Sequence, residues 1–209
     1  MTPTRALTLF ASLGAASAAI WPNPSALTNG SSTIVVAPGE AFFDLGSASS
    51  CNTLAQAAAR YQQLAFPHPS ADESSAVLPS LAVAVEDLDE SHPTLTTDES
   101  YSLNVPADGS AASLTAATVY GALRGLETFS QLVVFDFENR QYFIDGAPWQ
   151  IDDAPRFPHR GLMIDTARHF LPIAAVKKVC SSAKTLKDPE KTNLLRHALF
   201  LHNLSPISP

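Results

Sequence analysis

The stretch DDAPRFPHRGLMIDTARHFLP, residues 152–172, constrains the fold more than any other part of the chain. Pro155 and Pro158 push the residues before them toward extended geometry, so the stretch begins as a straight leader. Gly161-Leu162-Met163-Ile164 is then a short apolar run, the pattern of a strand covered on both faces in a parallel sheet. Polar groups crowd its end: Asp165, Thr166, Arg168 and His169. Pro172 is placed to open a helix through Ile173, Val176 and Val179. A buried strand, a polar loop and a helix are the first unit of a (β/α) barrel, a fold whose chemistry sits at the carboxyl ends of its strands.

Everything before that stretch has a different grammar. Residues 33–37 are β-branched and are closed by Pro38-Gly39, so residues 41–45 are expected to return as an antiparallel partner. A helix is predicted over residues 52–66, with Leu54, Ala58, Tyr61 and Ala65 on one face and Ser50 or Asn52 as N-cap. Leu81-Val83-Val85 and Tyr101-Leu103-Val105 alternate with small or polar residues, as half-buried strands do. The Asp98-Glu99-Ser100 run before the second of these reads as a solvated lead-in. Residues 118–133 form the clearest helix, with Thr115 or Thr118 as cap. Gly121 and Gly125 inside it are costly unless the sheet packs tightly there. Residues 142–144, a turn at Asp145-Gly146 and residues 149–151 are expected to form a closing hairpin. The class is α+β: a mixed or antiparallel sheet with two helices on one face, followed by an incomplete (β/α)8 barrel start. The domain boundaries follow as 20–150 for the α+β domain and 151–179 for the first βα unit.

Residues 1–19 read as a secretory signal, with Arg5 ahead of an apolar core and small residues at Ala16-Ser17-Ala18. A secreted, extracellular or vacuolar/lysosomal location follows, as does glycosylation at Asn29 of Asn29-Gly30-Ser31 in a turn-like setting. Proline excludes the sequon at Asn23, and Asn203 is a weaker candidate. Secretion permits a disulfide between Cys51 and Cys180, and sequence leaves that pairing open. The net charge of −7, without a Lys/Arg cluster, argues against nucleic acid as a partner. No segment is apolar for long enough to cross a bilayer.

The order of residues in APRFPHRGLMIDTARHFLPIAAVKKV resembles the opening of the catalytic barrel of family 20 glycoside hydrolases, the β-N-acetylhexosaminidases. Trp21-Pro22, Arg60-Tyr61, DESYSL at 98–103 and ALRGLETFSQL at 122–132 are similar to the non-catalytic, zincin-like N-terminal domain of the eukaryotic enzymes. That domain's name implies no zinc here, since the chain has no His-Glu-x-x-His, and His197 and His202 are too poorly spaced to make a site. No cofactor is implied. The resemblance implies a substrate, an oligosaccharide or glycan ending in N-acetylhexosamine, and leaves room for a homodimer of the full-length enzyme.

Arg160 is the residue the resemblance points to for substrate binding, gripping neighbouring hydroxyls of the terminal sugar with its planar fork of donors. The residues alone equally allow a structural ion pair, for instance with Asp165. Asp165, Arg168 and His169 are supporting candidates, either for chemistry at the barrel mouth or as braces for one another. The resemblance also implies substrate-assisted retaining hydrolysis. The substrate's acetamido oxygen attacks, and an adjacent Asp-Glu pair later in the barrel polarises it and protonates the leaving group. The chain has Asp-Glu pairs only at Asp72-Glu73, Asp89-Glu90 and Asp98-Glu99, all before Arg160. The expected catalytic pair is therefore missing and the chain by itself is expected to be inactive. Residues 180–209 depart from the family pattern and are expected to be an aberrant or disordered tail of a shortened gene product. The alternative from a different class is a secreted non-catalytic binding module.

Overall fold

The computed structural model describes residues 20–39, 41–70, 78–160, 164–165 and 170–185, with side chains through residue 179. Among them lies a mixed seven-stranded sheet ordered β1-β7-β4-β5-β3-β2, with β6 pairing on β7. The strands are β1 (Ala26–Val36), β2 (Phe43–Asp44), β3 (Leu81–Asp87), β4 (Tyr101–Val105), β5 (Ala112–Thr118), β6 (Val134–Asp136) and β7 (Gln141–Asp153). The helices are α1 (Asn52–Ala65), α2 (Val119–Leu132) and α3 (Ile173–Thr185). α1 packs on α2, and α2 lies on β5, β4 and β3.

The core follows from two periods meeting. Every second residue of β4 and β5 (Tyr101, Leu103, Val105; Ala112, Leu114, Ala116) is buried, and Ala122, Leu126 and Phe129 of α2 close over them. The alternate residues of those strands, such as Ser102, Asn104 and Thr115, form a polar or half-exposed opposite face. Gly121 and Gly125 do what their cost predicted. A Cβ at Gly125 would run into the Leu114 side chain, and one at Gly121 into the Ser100 carbonyl. The helix therefore sits nearer the sheet than any side chain would allow. Thr118 caps α2, its hydroxyl accepting from the Gly121 amide at 3.3 Å.

Three local expectations change. Residues 33–37 and 41–45 do not form a hairpin: the first belongs to β1, antiparallel to β7, and Phe43–Asp44 runs parallel to β3. Asp145-Gly146 is a bulge, not a turn, inside a single long strand. Gly146 takes a left-handed φ of 75°, the register against β1 shifts, and the Trp149 indole donates to the Asp145 carbonyl at 2.7 Å. The bulge changes the phase of burial, so Tyr142 and Ile144 before it and Ala147, Trp149 and Ile151 after it all face the core. α1 is not capped by Ser50 or Asn52. The Glu90 carboxylate, from the loop after β3, accepts the Asn52 and Thr53 amides at 2.7 and 3.2 Å. A negative group at the helix start also complements its dipole.

Asn29 is exposed but lies in β1 opposite Trp149, rather than in a turn. Cys51 is buried as a free thiol, and the Cys180 side chain lies outside the described residues. Pro172 opens α3 as expected, its carbonyl accepting from Ala175 and Val176. The helix continues through Thr185, past the boundary drawn at residue 179. Gly161, Leu162 and Met163 lie outside the described residues, as do residues 1–19 and 186–209.

Candidate functional site

The charged residues that converge do so where the first domain gives way to the segment after β7. Asp98 accepts the Ser100 amide at 2.8 Å, turning the chain just before β4. Asp98 is exposed as a solvated lead-in would be, but Glu99 lies inside that turn with its side chain only 9% exposed. Arg124 shares a face of α2 with Gly121, Gly125 and Thr128, and its side chain is 5% exposed. Its Nε donates to Glu99 Oε1 at 3.0 Å, and its NH2 group pairs with the same oxygen. The other carboxylate oxygen, Oε2, takes the Arg160 NH2 group at 2.5 Å. The Arg160 NH1 group donates to the Phe157 carbonyl, closing the backbone between these residues. Arg160 Nε is buried and has no hydrogen-bond partner among the described residues.

Arg124 and Arg160 line a cavity of about 790 Å³ walled also by Trp21, Glu127, Gln131, Asp153, Arg156 and Phe157. Gln131 ties the segment before β1 to α2, accepting the Trp21 amide at 2.7 Å and donating to its carbonyl at 3.0 Å. Glu127 accepts from the Tyr61 hydroxyl at 2.9 Å. Asp153 accepts from the Ser25 amide and hydroxyl and from Tyr101. Burial, then the adjacent carboxylates, pushes both Tyr61 and Tyr101 well above the usual phenol range. They are held as neutral donors. Two rings stay open to solvent at the rim, Trp21 and Phe157.

A sequence profile described as "beta-acetyl hexosaminidase like" matches residues 20–132, more than half of the chain. The chain belongs to the β-N-acetylhexosaminidases of glycoside hydrolase family 20. A second profile, the catalytic domain of glycosyl hydrolase family 20, matches residues 157–187, so its first residue is the Phe157 that walls the cavity.

Among curated relatives, β-hexosaminidase 1 of Arabidopsis thaliana is 38% identical over 184 residues, covering 80% of this chain and 34% of that protein. β-Hexosaminidase subunit B2 of Dictyostelium discoideum is 37% identical over 161 residues, covering 76% of this chain and 28% of the other. The chain thus spans about a third of the length of the curated relatives it matches. The fold is shared with an exo-β-N-acetylglucosaminidase from Vibrio harveyi, at a TM-score of 0.59 and 21% identity over 90% of this chain and 27% of that one. It is also shared with a chitobiase from Flavobacterium johnsoniae, at a TM-score of 0.57 and 24% identity over 82% of this chain and 26% of the other.

Of the hexosaminidase residues expected from sequence, Arg160 lies on the cavity wall and Asp165 is exposed. Arg168 and His169 lie outside the described residues. The ion pair to Arg160 comes from Glu99, just before β4. Sequence reading missed Glu99 and Arg124, although a signal was present. An arginine on the same helix face as two glycines and Thr128 is an arginine on the buried face, and a buried guanidinium needs a carboxylate. Among the described residues no group of three or more His, Cys, Asp or Glu side chains is arranged to hold a metal ion. No described helix is long and apolar enough to cross a membrane.

Proposed function

We propose that this chain is the N-terminal part of a secreted β-N-acetylhexosaminidase that removes terminal N-acetylhexosamine from oligosaccharides or glycans, and that by itself it hydrolyses nothing. The observation that carries the second half is the fate of its carboxylates. The reaction needs a glutamic acid that holds its proton until the leaving oxygen takes it, which calls for a raised pKa. Asp89 and Asp98 are held below the usual carboxylate range by the side chains and amides of Ser91 and Ser100. Glu90 is held low by Thr53, then Cys51 and the α1 amides. Those groups stabilise the ionised form and are unsuited to donate a proton. Glu99 is occupied by two guanidinium groups. Asp72-Glu73, outside the described residues, precedes Arg160 like the other pairs.

Arg160 is the residue proposed from sequence to meet the sugar hydroxyls. Its ion pair favours a second assignment within the same function. With NH1 given to Phe157 and NH2 to Glu99, two of the five donors of the guanidinium are engaged by protein. Arg160 then also braces the start of the catalytic segment. The leader and Asn29 belong to the same proposal: entry to the secretory pathway and one glycan on β1, which a mass shift on glycosidase treatment of the secreted chain would register. The decisive assay is incubation of the purified chain with a chromogenic β-N-acetylglucosaminide. No turnover above buffer is expected, and clear turnover would overturn the claim of missing machinery.

A further inference from the structure

The two arginines on Glu99 come from different parts of the chain. Arg124 belongs to the middle of α2, and Arg160 to the segment that matches the catalytic domain. Each carboxylate oxygen serves one of them, Oε1 for Arg124 and Oε2 for Arg160. We infer that Glu99 is a positioning residue: held by Arg124, it fixes the Arg160 guanidinium and with it the backbone from Phe157 to Arg160, so that the N-terminal domain sets the geometry at the start of the catalytic segment.

The geometry builds this from the sheet outward. Gly121 has no Cβ, so α2 rests on the Ser100 carbonyl, and the residue before Ser100 is Glu99. That close approach brings Arg124 within reach of the carboxylate, and the contact of Gly125 with Leu114 keeps the helix from sliding. Arg124 is nearly buried and therefore cannot give up its counter-ion cheaply. Arg160 is 23% exposed at its side chain, so it is the partner that can come and go. Its own NH1 bond to the Phe157 carbonyl makes the guanidinium part of the backbone's local closure. Moving Arg160 therefore moves residues 157–160. The significance of this for a glycosidase rests on the function proposed above, whereas the coupling of Glu99 to Arg160 does not.

The test uses the full chain and limited trypsin digestion, since Arg156 and Arg160 are both cleavage sites and Arg140 serves as an exposed control. Cleavage in the native state reports local opening when closing is fast. Glu99→Gln keeps the size of the side chain and removes its charge. It is expected to raise cleavage after Arg160 by about tenfold or more, the loss of one charge-assisted bond, while leaving cleavage after Arg140 unchanged. Arg124→Met, which frees Glu99 from its holder, is expected to raise it by a smaller factor.

If Glu99→Gln lowers the melting temperature but leaves the Arg160 rate relative to Arg140 at the wild-type value, Glu99 only neutralises Arg124 and the inference fails. Should Glu99→Gln not fold, hydrogen exchange in Arg160→Met takes its place. Faster exchange confined to the amides of Arg156, Phe157, His159 and Arg160 supports the inference, and exchange unchanged there overturns it. Turnover of the chromogenic sugar by the chain would overturn the claim that it hydrolyses nothing by itself, while leaving this pattern of protection untouched.

Discussion

Phe129 and Phe170 are the same side chain in two regions of one chain, and their surroundings could hardly differ more. Phe129, on α2, is fully buried among Phe42, Phe43 and the sheet, whereas Phe170 is 87% exposed. Ile151 on β7 and Ile173 at the start of α3 repeat the contrast at 1% and 67%. The first region meets its partners within residues 20–153: strands supply one layer, α1 and α2 the other. The segment after Asp153 carries an equally apolar pattern, but only Val176 of its described large apolar residues is buried. Periodicity tells a residue which side to turn; burial requires something on that side. In this chain residues 20–153 complete their own core, and the segment that opens the catalytic match is tied to them through charge.

Breaking the contrast at its strongest point gives the largest effect. Phe129→Ala should cost about 3–5 kcal/mol of stability, read as a lower urea midpoint with unchanged slope, whereas Phe170→Ala should stay within about 0.5 kcal/mol. Equal costs for the two would mean that Phe170 is covered in solution. Next comes the ionic tie. Arg124→Met leaves the nearly buried Glu99 short of one cation and should cost about 3 kcal/mol, with a thermal transition less sensitive to salt than an exposed pair would give.

Gly125→Ala tests the closeness of α2 to the sheet. Its new methyl meets Leu114, and about 1–3 kcal/mol should be lost, although alanine is the better helix former in isolation. Smallest is the remote cap. Glu90→Gln should lower the melting temperature by a few degrees at neutral pH and remove a pH dependence. The folded-state pKa of Glu90 is lowered, so its contribution is present above the unfolded carboxylate value and fades as the pH falls through the folded one. Tyr61 and Tyr101 work in the opposite sense. Their folded pKa values are raised, so their stabilisation is complete below about pH 10 and is lost as the pH climbs beyond it. Alkaline titration of tyrosine absorbance should show two phenols that ionise only on unfolding.

Legibility in the sequence varied with distance along the chain. α2 and its Thr118 cap, the alternation of β3 and β4 and the proline that opens α3 all depend on residues within a turn or two of one another. β5 was overlooked because ASLTAAT is small and weakly alternating, and its burial comes from the neighbours that flank it. The hairpin expected at Asp145-Gly146 failed for an instructive reason. A left-handed glycine serves a turn or a bulge equally well, and the long β1 opposite, paired at eight positions on both sides of the shift, selects the bulge. At the candidate site Arg160 was visible from its motif, but its partner was sought next door at Asp165 and is sixty-one residues away at Glu99.

Residue order alone carried the likeness to the family in its motifs, and it determined the faces of α2, β3 and β4 and the two glycines where α2 must approach the sheet, because those faces are written in spacings of two to four residues. Strand order, the parallel pairing of β2 with β3, the Glu90 cap and the sharing of Glu99 between Arg124 and Arg160 were settled by folding. They join positions whose separation along the chain carries no periodic signal, and a carboxylate looks the same in sequence whether water or two guanidinium groups will surround it.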